Sequence, residues 1–156
     1  MKLFKLLLLT LVMCLTSCDS ESKVALIDLR CEYRTNPLGI DNTAPRLSWK
    51  LLEDNQERGQ KQTAYQVLVA SSLDKLKNNT GDVWDSGKVE SNQSVNNTYQ
   101  GTELESAKQY FWKVKIWDKD GVASKWSDYG KFSMGLLKQS DWKGDWILKS
   151  NQKKTD

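Results

Sequence analysis

The chain has 156 residues, with no His, three Cys, seven Trp, and 23 Lys+Arg against 20 Asp+Glu. That length fits one domain. Without His there is no Ser-His-Asp triad, no Cys-His pair and no His-ligated metal, and without a C-x-x-C spacing there is no cysteine zinc site. Neither a cofactor nor a metal is expected. Setting aside the first 17 residues removes Lys2 and Lys5, leaving 21 minus 20, a net charge of +1. So balanced a charge argues against nucleic acid as a partner.

Residues 1–17 read as a lipoprotein signal peptide. Lys2 and Lys5 form a positive start, and residues 6–15 are an apolar run interrupted by Thr10 and Cys14. About 20 apolar residues are needed to span a bilayer, so the run is too short for a permanent membrane helix. Leu15-Thr16-Ser17-Cys18 resembles a bacterial lipobox, which makes Cys18 the expected lipidation site and membrane lipid an expected partner. The small residues give a peptidase access to the backbone, and the thiol carries the lipid. Residues 18–23 then form a short polar, acidic tether, and 139 residues (156 minus 17) remain. The expected location is the bacterial cell envelope, at the outer membrane, on its periplasmic or surface face. Cys31, in an apolar alternating stretch, reads as a buried small hydrophobe.

The rest of the pattern has period two, broken by turn residues. A first strand is expected over 24–31. Turn-rich stretches at 36–39 and 42–45 lead into a second strand, in which Leu47, Trp49 and Leu51 share a face. Residues 53–61 read as a charged hairpin loop. Residues 62–72 form a strong strand: Tyr65, Val67 and Val69 lie on one face, Ala64, Leu68 and Ala70 on the other, as for a strand covered on both sides. One helical turn fits 74–79, and shorter strands are expected over 83–89, carrying Trp84, and over 91–99. Residues 110–117 alternate most clearly, with Tyr110, Trp112, Val114 and Ile116 on one face. Asp118-Lys119-Asp120-Gly121 supplies a hairpin turn, and 124–134 is the return strand with Trp126 and Phe132.

About seven short antiparallel strands at this spacing predict an all-β fold, a fibronectin-III or immunoglobulin-like β-sandwich over 24–137. Leu104 followed by Tyr110 is compatible with a tyrosine corner, in which a buried Tyr hydroxyl bonds backbone upstream. Carboxylate pairs exist at Asp118/Asp120, Glu103/Glu105 and Asp141/Asp145, but they sit in turns or a terminal segment, where Asp serves local backbone bonding. They read as solvated turns, and no catalytic residue is expected. A flat ring can stack on the apolar face of a pyranose, so an aromatic surface at Trp84, Trp117 and Trp126 is a candidate carbohydrate platform. Rings that fill the core or pack against a following domain are the competing expectation.

Several segments resemble one family in order and spacing: Leu29-Arg30-Cys31-Glu32-Tyr33, Asn36-Pro37-Leu38-Gly39-Ile40-Asp41, Pro45-Arg46-Leu47-Ser48-Trp49 and residues 62–70. Trp84-Asp85-Ser86-Gly87-Lys88-Val89, residues 110–114, Trp126-Ser127, residues 132–137, Asp141-Trp142 and Trp146-Ile147 complete the series. Together they are similar to the N-terminal β-sandwich of bacterial α-L-rhamnosidases of glycoside hydrolase family 78. The resemblance implies that further β-domains follow, then an (α/α)₆ barrel with the catalytic carboxylates, acting by metal-assisted or carboxylate-assisted inversion on terminal rhamnose. No position here receives those carboxylates. Residues 138–156 read as a linker opening toward a next β-domain.

The implied function is a lipid-anchored, non-catalytic accessory domain, a spacer and packing module for downstream rhamnosidase domains. Two alternatives accompany it. One is a stand-alone surface glycan-binding lipoprotein using its Trp residues; the other is a piece of a longer active rhamnosidase.

Overall fold

The computed structural model describes residues 21–52 and 59–144. The leader, Cys18 and most of the 53–61 loop lie outside them. Among the described residues, seven antiparallel strands form two sheets. Strands β1 (Ala25–Cys31), β2 (Arg46–Leu52) and β5 (Asn97–Thr98) make a three-stranded sheet in the order β1-β2-β5. Strands β3 (Ala64–Ala70), β4 (Trp84–Asp85), β6 (Gln109–Trp117) and β7 (Gly130–Ser133) make a four-stranded one in the order β4-β3-β6-β7.

The core lies between the sheets, where alternation places it. Leu47 and Trp49 from β2 meet Val67 and Val69 from β3 and Tyr110, Trp112, Val114 and Ile116 from β6, all buried. Buried Gln62 ties the layers: it accepts from Trp49 Nε1 at 2.9 Å and donates to the carbonyls of Ser91 and Gln93. The Tyr110 hydroxyl accepts the backbone N–H of Glu105 at 2.9 Å, which is the expected tyrosine corner. The second face of β3 is covered over part of its length, because Leu76 of helix α1 (Leu73–Lys77) packs on Leu68 and Ala70.

Three expected strands are shorter than their alternation suggests. Only Trp84–Asp85 of 83–89 and Asn97–Thr98 of 91–99 pair as strands. Gly87 and Asn96 adopt left-handed φ values of 59° and 58°, which break an extended run. Of 124–134, only Gly130–Ser133 is a regular strand. The preceding residues still bond along β6, with Ser124 and Ser127 N–H groups donating to the Ile116 and Val114 carbonyls at 2.8 Å.

One connection shapes the surface. Between β1 and β2, residues 36–40 cross to the four-stranded sheet and lie along β7. Ser133 N donates to the Pro37 carbonyl, Ile40 N to the Ser133 carbonyl, and Lys131 N to Asn36 Oδ1. At the start of that connection, Glu32 and Tyr33 form a tight turn with φ of 47° and 64°, an unfavourable region for both residue types.

Candidate functional site

The alternation of β6 sends Phe111, Lys113, Lys115 and Trp117 to the outer face of the four-stranded sheet. Trp126 arrives on that face because the serines beside it replace a strand partner. Ser127 Oγ accepts the Val114 N–H and Ser124 Oγ accepts the Ile116 N–H, each at 3.1 Å. The ring of Trp126 then packs with Phe111 against Leu68, Ala70 and Leu76. The structure therefore brings Trp117 and Trp126 to one surface, both half-buried.

Trp84 does not join them. Its partner across the ladder is core-facing Val69, and its ring meets Tyr99 edge-on at 5.3 Å. Gly101 makes the fit possible, since a Cβ there would stand 2.5 Å from Trp84 Cβ and collide with the Tyr99 hydroxyl. The expected three-ring platform is two rings, with the third turned to the sandwich interior.

Lysines complete the outer face. Lys115 Nζ stands 4.7 Å from the Trp126 ring centre and 5.2 Å from that of Trp117; Lys113 stands 5.0 Å over Trp126 and Lys88 5.0 Å over Trp117. Each contact contributes roughly 0.5–1 kcal/mol at a solvated site. Lys113 is 8% exposed and donates to Asn79 Oδ1 at 2.5 Å. Burial, and then the charge of Lys115, push its amine below the usual lysine range. A pyranose stacking on these indoles would compete with the ammonium groups. Sequence reasoning singled out the rings and missed Lys88, Lys113 and Lys115; the run Phe111-Trp112-Lys113-Val114-Lys115-Ile116-Trp117, read for its odd positions, carries the signal for the last two.

Glu103, Glu105 and Asp141 line one surface pocket, and each is already engaged by a neighbour. Asp118 is buried rather than solvated, because its Oδ1 accepts the N–H groups of Asp120 and Val122 at 3.0 and 2.9 Å and so closes the turn. Glu103 pairs with Lys138, and Glu105 with Lys108. Asp141 is bonded to the Ser106 hydroxyl and to Lys138 N, while Asp145 lies outside the described residues. Among the described residues, no group of three or more His, Cys, Asp or Glu gathers as for a metal ion. Cys31 is buried as expected; burial and then Glu32 push its thiol up to about 12, far from nucleophilic use.

A further cluster lies at the Glu32-Tyr33 turn. The Glu32 carboxylate accepts Arg46 N at 2.7 Å, Arg46 Nη2 at 2.5 Å and Asn42 Nδ2 at 3.0 Å. The Arg46 guanidinium lies 4.7 Å over the Tyr33 ring, and its Nη1 donates to the Tyr33 hydroxyl at 2.9 Å. The arrangement commits both charged groups to the turn as a clamp. Glu32, Tyr33 and Arg46 stand within the segments that resemble rhamnosidases, and the clamp supplies a physical reason for them.

A family model described as "Rha78A-like, N-terminal immunoglobulin domain" matches residues 26–138. The chain belongs to this family. It is 43% identical to an alpha-L-rhamnosidase of Formosa agariphila over 98% of this chain and 16% of that protein. It is 47% identical to one from Streptomyces avermitilis over 74% of this chain and 11% of that protein. Among solved structures, alpha-L-rhamnosidase from Dictyoglumus thermophilum matches with a TM-score of 0.76 and 48% identity, over 81% of this chain and 14% of that one. The Streptomyces avermitilis enzyme complexed with L-rhamnose matches at 0.74 and 43% identity, over 80% and 12%. The chain thus spans about one sixth or less of the curated relatives it matches.

Proposed function

We propose that the chain serves as the non-catalytic N-terminal module of an α-L-rhamnosidase-type protein, tethered to the cell envelope by lipid on Cys18, with a spacing and packing role. The observation that carries this reading is the family match over 26–138, joined to the commitment of Asp118, Glu103, Glu105 and Asp141 to turns and ion pairs. The packing role draws support from the pole where the chain leaves β7. Leu38 and Leu136 flank the close approach of Gly135 to the Gly39 carbonyl, and both are exposed, as is Trp142. Exposed apolar residues at a domain end are suited to a neighbouring domain.

A domain exchange tests it. Residues 21–144 replace the matching module of the Dictyoglumus thermophilum enzyme, and the chimera is compared with a module deletion. The expected chimera keeps the enzyme's Tm and its hydrolysis of an aryl α-L-rhamnoside; a chimera no better than the deletion defeats the packing role. The isolated chain is expected to give no hydrolysis above buffer. Radiolabelled palmitate is expected to enter the full chain and not Cys18→Ala.

A second reading is supported by the meeting of Trp117 and Trp126 on one face: a surface that holds a glycan. Trp117→Ala is then expected to lose retention on a rhamnose-rich polysaccharide column with native circular dichroism. A wild-type chain that no polysaccharide retains ends that reading.

A further inference from the structure

The chain enters and leaves the sandwich at opposite poles. At the N-terminal pole, Ser22 N donates to the Ala123 carbonyl at 2.9 Å, its hydroxyl bonds the Asp118 carboxylate, and Glu21 pairs with Lys125 at 3.5 Å. Ser22 bridges Ser124 as a short parallel pair. This pole holds the end of β6 at Trp117 and the turn at 118–121. At the C-terminal pole, Met134 N donates to the Lys108 carbonyl, Leu137 N to Ser106 Oγ, and the Asp141 carboxylate binds both Ser106 and Lys138 N. Strand β6 connects the two from Gln109 to Trp117, nine residues, or about 26 Å at roughly 3.3 Å per step.

We infer that the pole bearing Ser22 and the 118–121 turn is the membrane-facing end of the protein, resting on phospholipid headgroups, while the pole at 103–106 and 134–141 stands away from the bilayer. This rests on the lipidation of Cys18 proposed above. Within the tether expected over 18–23, Ser22 is already held by the sheet. From Cys18 to Ser22 there are four residue steps, a maximum reach of about 14 Å at roughly 3.5 Å each. That is about half the length of β6, so the lipid holds one pole at the surface and has no reach to the other.

Charge does not select this orientation. Lys23, Lys61, Lys119 and Lys125 at the N-terminal pole stand against Glu21, Asp118 and Asp120, a near balance among the described residues. Headgroup attraction near a surface contributes about 1 kcal/mol per uncompensated cation. The covalent leash, and the hydrogen bonds that pin Ser22, decide the geometry.

The test separates orientation from lipidation in the cell. The chain from Cys18 onward is coupled through its N-terminal aminothiol to a cyanobenzothiazole lipid in phosphatidylcholine vesicles carrying an acceptor-labelled lipid. A donor is attached at Asp120→Cys or Glu103→Cys, both exposed positions; the buried Cys31 does not compete. Energy transfer is expected at least threefold more efficient from position 120 than from position 103, unchanged in 1 M NaCl. Eight Gly-Ser residues inserted between Ser20 and Glu21 are expected to bring the ratio toward one. Equal transfer from the two positions without the insertion, or a ratio that salt abolishes, overturns the inference. A failure of palmitate labelling in cells with the ratio intact counts against the lipid anchor and leaves the geometry standing.

Discussion

Two chain reversals in this sandwich solve the same problem with opposite chemistry. The 118–121 turn uses residues suited to it: Gly121 takes a φ of 75°, and Asp118 binds the turn's own N–H groups. The turn after β1 places Glu32 and Tyr33 in the left-handed region, where Asn or Gly is the usual choice. It is held from a distance by Arg46, 14 residues further along the chain from Glu32. A turn that suits its own sequence is locally stable. A turn that does not depends on a tertiary partner, and its stability is then tied to the registry of β1 against β2.

Removing the distant partner has the largest expected effect. Arg46→Ala leaves a half-buried Glu32 carboxylate short of its donors and is expected to destabilise by about 2 kcal/mol, seen as a lower urea midpoint with unchanged slope. Asp118→Ala removes the local acceptor for two N–H groups, with an expected loss of about 1–2 kcal/mol. Gly121→Ala strains one residue and is expected to cost about 1 kcal/mol. If the Arg46 variant proves milder than the Gly121 variant, the contrast between distant and local support is wrong.

Acid sharpens the same comparison. Hydrogen bonding from Arg46, opposed by burial, holds the Glu32 carboxyl below the usual range. A lowered folded value stabilises above the ordinary carboxylate range, and the contribution is lost as pH falls through the folded value. Wild-type stability, followed by thermal unfolding, is therefore expected to drop below about pH 4.5 more steeply than that of Arg46→Ala. Parallel curves would remove Arg46 as the cause. The smallest effect is expected at the outer lysines: Lys115→Ala should change stability by about 0.5–1 kcal/mol and shift the tryptophan emission.

The same division explains what the sequence made legible. The period-two runs around Trp49, Val67 and Val114 identify the core strands, because burial on one face writes itself into alternation. The tyrosine corner is legible from Leu104 and Tyr110, since the bond spans five residues. The reversal at Glu32-Tyr33 is not, because neither residue type signals a left-handed turn and Arg46 lies on the next strand. Trp84 reads as an outer ring because residues 83–89 read as a regular strand facing either way. Its pairing with Val69 across a two-residue strand is a long-range fact. The lysines over Trp117 and Trp126 were hidden for a related reason: the ladder depends on residues 124–127 lying along β6, a path set by two serine hydroxyls.

The connection at 36–40 has a consequence for crowding. By bonding Lys131, Ser133 and Gly135, it occupies the side of β7 that would otherwise offer a row of unpaired amides and carbonyls to another chain. At the other margin of that sheet, β4 is two residues long and ends before Gly87 turns away. Neither margin gives a second copy enough backbone to add a strand. Molecules of this kind packed side by side on a surface would slide past one another along these two margins without zipping the four-stranded sheets together.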